Sequence, residues 1–411
     1  MSSLVIITNH FPYGGEFISG EIEYLSKEFD EIMLVPLRFK GPRINLFPKN
    51  VFTDPSLALA NMPDNSSRHL QVLGRSIRRL VYAIGAINQG WPGNSEIKRN
   101  GPLKKWLWQY IINISDSFAV LQWAKTQKQP DIAYTYWLGA SAIALRHAWP
   151  NAIIVSRAHG YDIYPEQSGL SELPFHDLAI LSYDKIFCVS RHGQHYLSSR
   201  YHSQKNKIYY ARLGVDDVGG LAKPPNNKAI KIFSVSSVDV NKRVERIAQA
   251  VEYIAQHGIN VSWVHAGDGP GMSRLLAYVR TMCANAHVSL LGQVPQEQIY
   301  DQLLNGRFNV FVNQSLSEGV PVSIMEAQSV GLATVATNTG GTPEVLCAEG
   351  NILHPVHESI AKLADHIIIA SHYSADAAIR RRAVWAKLYN SNLNYRNFAS
   401  ALRREMHRPI P

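Results

Sequence analysis

Three cysteines in 411 residues, Cys188, Cys283 and Cys347, are too few and too far apart for a disulfide framework or a clustered metal site. That scarcity fits a reducing compartment. No apolar run approaches the roughly 20 residues that a spanning helix needs. The opening "MSSLVIITNHFPYGG" has no basic stretch ahead of its short apolar run, so it does not read as a secretion signal. The expectation is a cytoplasmic protein, peripheral at most on the inner face of the cytoplasmic membrane. No Walker-type phosphate loop occurs, which argues against ATP-phosphate chemistry. Acidic residues are the scarcer charge, 32 against 41 Lys and Arg, for a net charge of +9. A basic balance calls for an anionic partner: nucleic acid, anionic lipid or a phosphorylated substrate. No nucleic-acid motif accompanies it, so nucleic acid is the weakest of the three.

What is present is alternation. "LVIIT" is a strand-length apolar run, "NHFPYGGEF" is turn chemistry, and "ISGEIEYLSKEF" spaces Ile18, Ile22, Leu25 and Phe29 as one helical face. "IMLVPL", "IAYTYW", "AIIVSRAHG" and "KIFCVS" continue the strands, with helical patterns between them. Continuous apolar strands alternating with helices predict an α/β protein with parallel sheets covered on both faces. The chain is too long for one ordinary core. Near "LGVDDVGGLAKPPNNK" the pattern breaks into Gly, Pro and Asn, and a second alternating series follows: "IKIFSVSSV", "VSWVHAGDG", "VSLLGQV", "NVFVNQS" and "LATVATN". The division expected is an N-terminal Rossmann-like domain over 1–215, a linker over 216–228, a C-terminal Rossmann-like domain over 229–384, and one long amphipathic helical segment over 385–411.

One N-terminal region stands apart. Arg75, Arg78, Arg79, Lys98, Arg99, Lys104 and Lys105 crowd the stretch 68–108 with Glu96 as its only acid, and Trp91, Trp106 and Trp108 lie among them. The pattern "LQVLGRSIRRLVYAIGAI" has one apolar helical face. A basic amphipathic helix with tryptophans suits an anionic membrane surface; a helical insertion with a solvated basic face is the plainer alternative.

Candidates for chemistry sit where strands end. In "SLSEGVPVSIMEAQSVGLATVATNTGGTPEVL", Glu318 lies in the loop after "NVFVNQS". Glu326 lies about two turns on, in the helix that begins after Pro321. Amides at Gly319, Val320 and the helix start suit an anion or a hydroxyl, and a carboxylate is a two-oxygen acceptor for paired ribose hydroxyls. Each glutamate alone reads more simply as a solvated or dipole-favoured residue; the pair with its glycines does not. Gly340 and Gly341 let backbone approach a ligand. Lys242 and Arg243, between the second domain's first strand and its helix, are placed to hold a diphosphate. "VSRAHGYDIYPE" puts Arg157, His159, Gly160 and Asp162 at a strand end. "GDGPGM" fails as a dinucleotide fingerprint because Met272 occupies the third glycine position. His192 and His195 have helical spacing and no third ligand, so no metal site is assigned.

With these residues assembled, the chain resembles a GT-B-fold retaining glycosyltransferase of family four, of the bacterial exopolysaccharide, capsule or O-antigen type. The spacing Glu318 to Glu326 in "SEGVPVSIMEA" is the most specific sign; "GGTPEVL", "HAGDGP", "RAHGYDIYPE" and "FPYGGEF" accompany it. The resemblance implies two Rossmann-like domains facing a cleft, with the final helix crossing back to the first. It implies that Glu326 binds the donor ribose, Glu318 the donor sugar and Lys242 the diphosphate. His159 would act beside the transferred sugar, and Gly14, Gly15 and Asp162 would line the phosphate and acceptor loop. The implied partners are a nucleotide-sugar donor and a glycan or polyprenyl-diphosphate-linked acceptor, with no metal or other cofactor. Where many relatives carry Gly-Arg-Leu, this chain has Ser236-Ser237-Val238, so Arg243 is the substitute for the missing arginine. The alternatives are a nucleotide-sugar epimerase of the same fold, an inactive transferase, and a basic surface-binding module.

Overall fold

The computed structural model describes residues 1–9, 11–12, 16–40, 47–60, 84, 103–170, 172–223, 229–283 and 285–406. The basic stretch 68–108 therefore lies outside the described residues except for Ile84 and 103–108, and Gly14 and Gly15 lie outside them too. The chain forms two units. One is Met1–Ala211 with Tyr395–Pro411, the other Arg212–Asn394.

In the first unit, the apolar runs become parallel strands β1 Ser3–Thr8, β2 Glu31–Pro36, β3 Val51–Thr53, β4 Ile132–Thr135, β5 Ile153–Ala158, β6 Lys185–Cys188 and β7 Ile208–Tyr210. Their order is β3-β2-β1-β4-β5-β6-β7, so the winding reverses between β1 and β4. Ile6, Ile32, Ile154 and Ile186 are fully buried because helices cover the sheet. Ser190 caps the helix Arg191–Arg200 by accepting from Gly193 N at 3.0 Å, which satisfies one of the four orphan amides of a helix start. The helix Leu103–Ala124 lays Ile114, Phe118 and Leu121 into this core. Trp106 is buried there and stacks on Tyr110 at 5.3 Å. Trp108, by contrast, is about half exposed.

In the second unit the strands are β8 Ile230–Val235, β9 Val261–Ala266, β10 His287–Leu290, β11 Val310–Asn313, β12 Ala333–Thr337 and β13 Ile352–His354. All pair in parallel in the order β10-β9-β8-β11-β12-β13, which is the dinucleotide-binding order with its switch point between β8 and β11. The helix Val244–Gln256 buries Val244, Ile247, Ala248, Val251 and Ile254 along one face. Each large aliphatic residue buried this way contributes about 1.5–3 kcal/mol. Both sheets and their helices form the two α/β layers that the alternation predicts.

The expected single C-terminal helical segment is instead two helices, Ala375–Leu388 and Ser391–Glu405. The break at Tyr389–Asn390 is made by main-chain pairing with Val215, which donates to Tyr389 O at 2.9 Å and accepts from Ser391 N at 3.0 Å. Periodicity continues across the break, so only that non-local pairing marks it. From Tyr395 the last helix belongs to the first unit. Phe398 and Tyr395 lie over the Arg157 guanidinium at 4.3 and 5.8 Å, Ser400 donates to Glu28 at 2.7 Å, and Lys185 pairs with Glu405 at 2.7 Å. Among the described residues no helix is long and apolar enough to cross a membrane.

Candidate active site

In the second unit the loops after β8, β11 and β12 are laced together. Asp239 makes the first turn: its carboxylate accepts from Lys242 N at 2.9 Å and from Ser237 Oγ at 2.6 Å. Asn241 then joins the next loop. Its side chain donates to Ser317 O at 3.0 Å and accepts from Ser317 N at 3.1 Å, while Leu316 N donates to Asn241 O at 2.7 Å. These bonds set Lys242 against Glu318, with Nζ 2.7 Å from Oε1. Ser315 Oγ and Asn313 Nδ2 donate to the same oxygen at 2.6 and 3.3 Å. All three donors go to Oε1; Oε2 accepts from none among the described residues. The buried Glu318 carboxylate is thus aimed by three donors and keeps one oxygen for a ligand hydroxyl.

The glycines have a structural reason. Gly340 has φ +52°, and a Cβ there would fall inside contact distance of the Glu318 carbonyl oxygen. Gly341 has ordinary φ and donates to Gly319 O at 3.1 Å. Thr337 and Thr339 hydroxyls donate to Ser315 O and Leu316 O at 2.6 and 2.9 Å. Gly340 therefore lets the β12 loop press directly on the backbone that carries Glu318. Gly267 does the same for the "GDGPG" turn: at φ +138°, its missing Cβ makes room for Ser236 O. That is a packing role, consistent with the failed fingerprint.

Val320 and Pro321 are buried, and Pro321 precedes the helix Val322–Ser329. The amides of Gly319 and Val320 make no hydrogen bond among the described residues, which leaves two donors on this loop for an anion or a hydroxyl. Glu326 is not at a solvated helix start. It is buried within that helix and accepts from Gln296 Nε2 at 2.5 Å. Its charge, after burial, helps push the Tyr300 hydroxyl pKa up. The two acids of the motif occupy separate settings on one loop and helix.

Arg243 braces the loops of the second unit through Nε and Nη1. It adopts φ +49°, donates to Gln314 O at 2.7 Å and to Val356 O at 2.8 Å, and ties the loops after β8, β11 and β13. Burial, with Arg246 adding repulsion, lowers its pKa to about 10.

In the first unit, Asp162 is a turn former. Its Oδ1 accepts from His159 N at 2.8 Å and Gly160 N at 2.9 Å, and its Oδ2 from Leu138 N at 2.9 Å. Those three amides tie the loops after β4 and β5 to the Asp162 carboxylate, which thereby positions the His159 backbone. The His159 ring packs between Tyr136 and Trp137, at centroid separations of 4.8 and 4.6 Å. Among the described residues neither ring nitrogen has a hydrogen-bond partner, and Nδ1 is 3.7 Å from Asp162. Arg157, two residues earlier, is buried away from this loop. It pairs with Glu21, which also accepts from Tyr134 OH at 3.1 Å. Burial pushes the Glu21 pKa up, and Arg157 beside it pulls it back only partly.

Sequence reasoning missed Asn241, Ser315, Asn313 and Gln296, which hold the motif acids. Their only signal is adjacency to Lys242 and Glu318, and for Gln296 there is none.

Residues 222–383 match the family model of the glycosyl transferases group 1. The chain is 30% identical over 167 residues to a phosphatidylinositol N-acetylglucosaminyltransferase subunit of Arabidopsis thaliana, covering 40% of this chain and 36% of that protein. It is 28% identical over 230 residues to the amylovoran biosynthesis glycosyltransferase AmsK of Erwinia amylovora, covering 53% of this chain and 55% of that one. The matches thus span only part of these curated relatives. The structure of Anabaena Alr3699/HepE in complex with UDP and glucose superposes with a TM-score of 0.63 at 16% identity, over 97% of this chain and 98% of the other, a likeness of fold. The match over 222–383, which takes in Lys242, Glu318, Glu326 and Gly340, and the fold of the two units together identify the C-terminal unit as a group 1 glycosyltransferase domain within a GT-B chain.

Proposed function

We propose that the protein is a retaining glycosyltransferase that moves a sugar from a nucleotide-sugar donor to a glycan or lipid-linked acceptor during synthesis of a bacterial surface polysaccharide. The observation that carries the reading is the Lys242–Glu318 pair at the switch point of the second unit. Open α/β sheets bind their ligands there. Glu318 Oε2 accepts from a hydroxyl of the donor sugar, and the amides of Gly319 and Val320 meet the same ligand. Glu326 accepts from the ribose. As the glycosidic bond breaks, charge builds on the β-phosphate, and the Lys242 ammonium stabilises it. Arg243 supports this indirectly by bracing the loops. His159 and its aromatic walls serve the transferred sugar.

The relative named for amylovoran synthesis supports the surface-polysaccharide setting, and the neighbour holding UDP and glucose supports a uridine donor. The relative named for phosphatidylinositol supports a lipid-linked acceptor, for which association with an anionic membrane face is part of the proposal. A thermal-shift panel of UDP- and GDP-sugars tests the reading, because a ligand stabilises in proportion to the logarithm of its concentration over Kd. The reading predicts a shift with one nucleotide class and transfer of that sugar to acceptor. Absence of any shift across the panel refutes it.

A further inference from the structure

In the second unit the helix Gln296–Asn305 leaves the carboxyl end of β10 and leads the chain past β9 and β8 to β11. Its first residue therefore lies on the carboxyl-end side of the sheet, the side on which open α/β sheets hold ligands. The Gln296 side chain reaches across to the next helix, Val322–Ser329, and donates from Nε2 to Glu326 Oε1 at 2.5 Å. Tyr300, four residues on, shares the same helical face. Burial first, then the Glu326 charge, push its hydroxyl pKa up, and a hydrogen bond with Gln296 opposes the rise. An acid from one helix is thus met by an amide and a phenol from another.

This contact differs in kind from the one at Glu318. Lys242 meets Glu318 as an opposite charge, at 2.7 Å. Gln296 meets Glu326 as a neutral donor. A carboxamide fixes the direction of a carboxylate and leaves its negative charge in place. Direction matters here because Glu326 is only 5% exposed, and a buried carboxylate without donors takes up a proton instead. An ionised carboxylate held at one oxygen is a strong acceptor for two neighbouring hydroxyls; a protonated or turned one is not.

We propose that Gln296 is a positioning residue that sets sugar selectivity in the nucleotide: by aiming the Glu326 carboxylate, it decides how strongly the site prefers a ribonucleotide to its 2′-deoxy counterpart. Gln296 acts through Glu326 and need not touch the ligand. The proposal rests on the assignment of Glu326 to the ribose within the transferase reading. It adds a residue from a different helix, 30 positions away in sequence, whose removal changes discrimination between nucleotides more than stability of the fold.

Calorimetric titration of the full chain with UDP and GDP, each beside its 2′-deoxy form, tests it. The wild-type protein should prefer one ribonucleotide to its deoxy form by about 10-fold or more, the worth of one hydrogen bond to a charged group. Gln296→Leu should cut that preference to about 3-fold or less by weakening the ribonucleotide alone. Gln296→Glu supplies a second readout. Its carboxyl lies against Glu326, so it donates like the amide only while protonated. Ribonucleotide affinity relative to wild type should therefore recover as pH falls from 8 to 5.5. A Gln296→Leu preference equal to wild type overturns the proposal, as does an equal loss for ribo and deoxy forms, the mark of a merely structural residue. A Gln296→Glu affinity that tracks wild type at every pH overturns it too. Glu326→Ala separates the two readings. Preference lost there and kept in Gln296→Leu overturns the positioning role alone. A wild-type protein that binds nucleotide without preference, or keeps its preference in Glu326→Ala, overturns the ribose assignment and the proposal with it. No nucleotide binding at all overturns the transferase reading and leaves Gln296 nothing to position.

Discussion

Replacing Gly340 with alanine isolates what holds the candidate donor loop. Two costs apply. At φ +52° a Cβ meets its own backbone, which costs about 1–2 kcal/mol. The new methyl also overlaps the Glu318 carbonyl oxygen. That oxygen cannot retreat easily, because Gly341 N, Thr337 Oγ1 and Thr339 Oγ1 bind the same loop at 3.1, 2.6 and 2.9 Å. Overpacking against fixed atoms costs about 1–3 kcal/mol more. The expected loss is about 2–5 kcal/mol in all. Gly258→Ala is the control. Its φ is +76°, yet nothing lies within 4 Å of the new Cβ, so only the backbone cost applies. Both positions lie in the second unit, and the same urea transition, followed by circular dichroism, reports both. Gly340→Ala should lower the midpoint well beyond Gly258→Ala. UDP affinity should fall only in Gly340→Ala, because the shifted loop carries Glu318. Equal midpoints for the two variants would refute the close-packing argument.

Glu326→Ala should weaken UDP binding on the order of 10- to 1,000-fold, with Glu326→Gln milder, as one or two charge-assisted bonds are lost; calorimetric affinities equal to wild type would sink the ribose assignment. Arg157→Met should cost about 3–5 kcal/mol by leaving Glu21 buried without its partner, and adding Glu21→Met should recover much of that in urea unfolding. Burial pushes the His265 imidazole from 6.5 down to about 4. Its folded value lies below the unfolded one, so its contribution is complete above about pH 6.5 and is lost as pH falls toward 4, up to about 3 kcal/mol. Urea midpoints between those pH values should slope less in His265→Asn; an unchanged slope contradicts the assignment. His159→Ala should lower the turnover rate far more than donor affinity, read from steady-state transfer kinetics, since a group acting in the transition state leaves binding largely intact. An unchanged rate would leave His159 a packing residue between Tyr136 and Trp137.

Local pattern was enough to read the elements. Runs such as "LVIIT", "IKIFSV" and "NVFV" declare buried parallel strands because a strand covered on both faces needs apolar residues at every position. The helix Val244–Gln256 is legible from its apolar period, and the Glu318 to Glu326 spacing marks one loop and the helix after it. All of these depend on neighbours within a few residues along the chain.

Pairings between distant residues were another matter. Lys242 and Glu318 meet across 76 residues, and Arg157 and Glu21 across 136. Nothing in "VSRAHG" says that its arginine turns into the core while its histidine lies between two rings. Gly340 reads as a glycine that lets backbone approach a ligand until the Glu318 backbone is set against it. Glu326 looks like a solvated helix glutamate until Gln296 and Tyr300, from another helix, close over it. The break at Tyr389–Asn390 exists only because Val215 pairs there. Periodicity records which side of an element is apolar. Which groups share a site is decided by how the strands are ordered in the sheets, because that order brings chain segments far apart in sequence to the same strand ends.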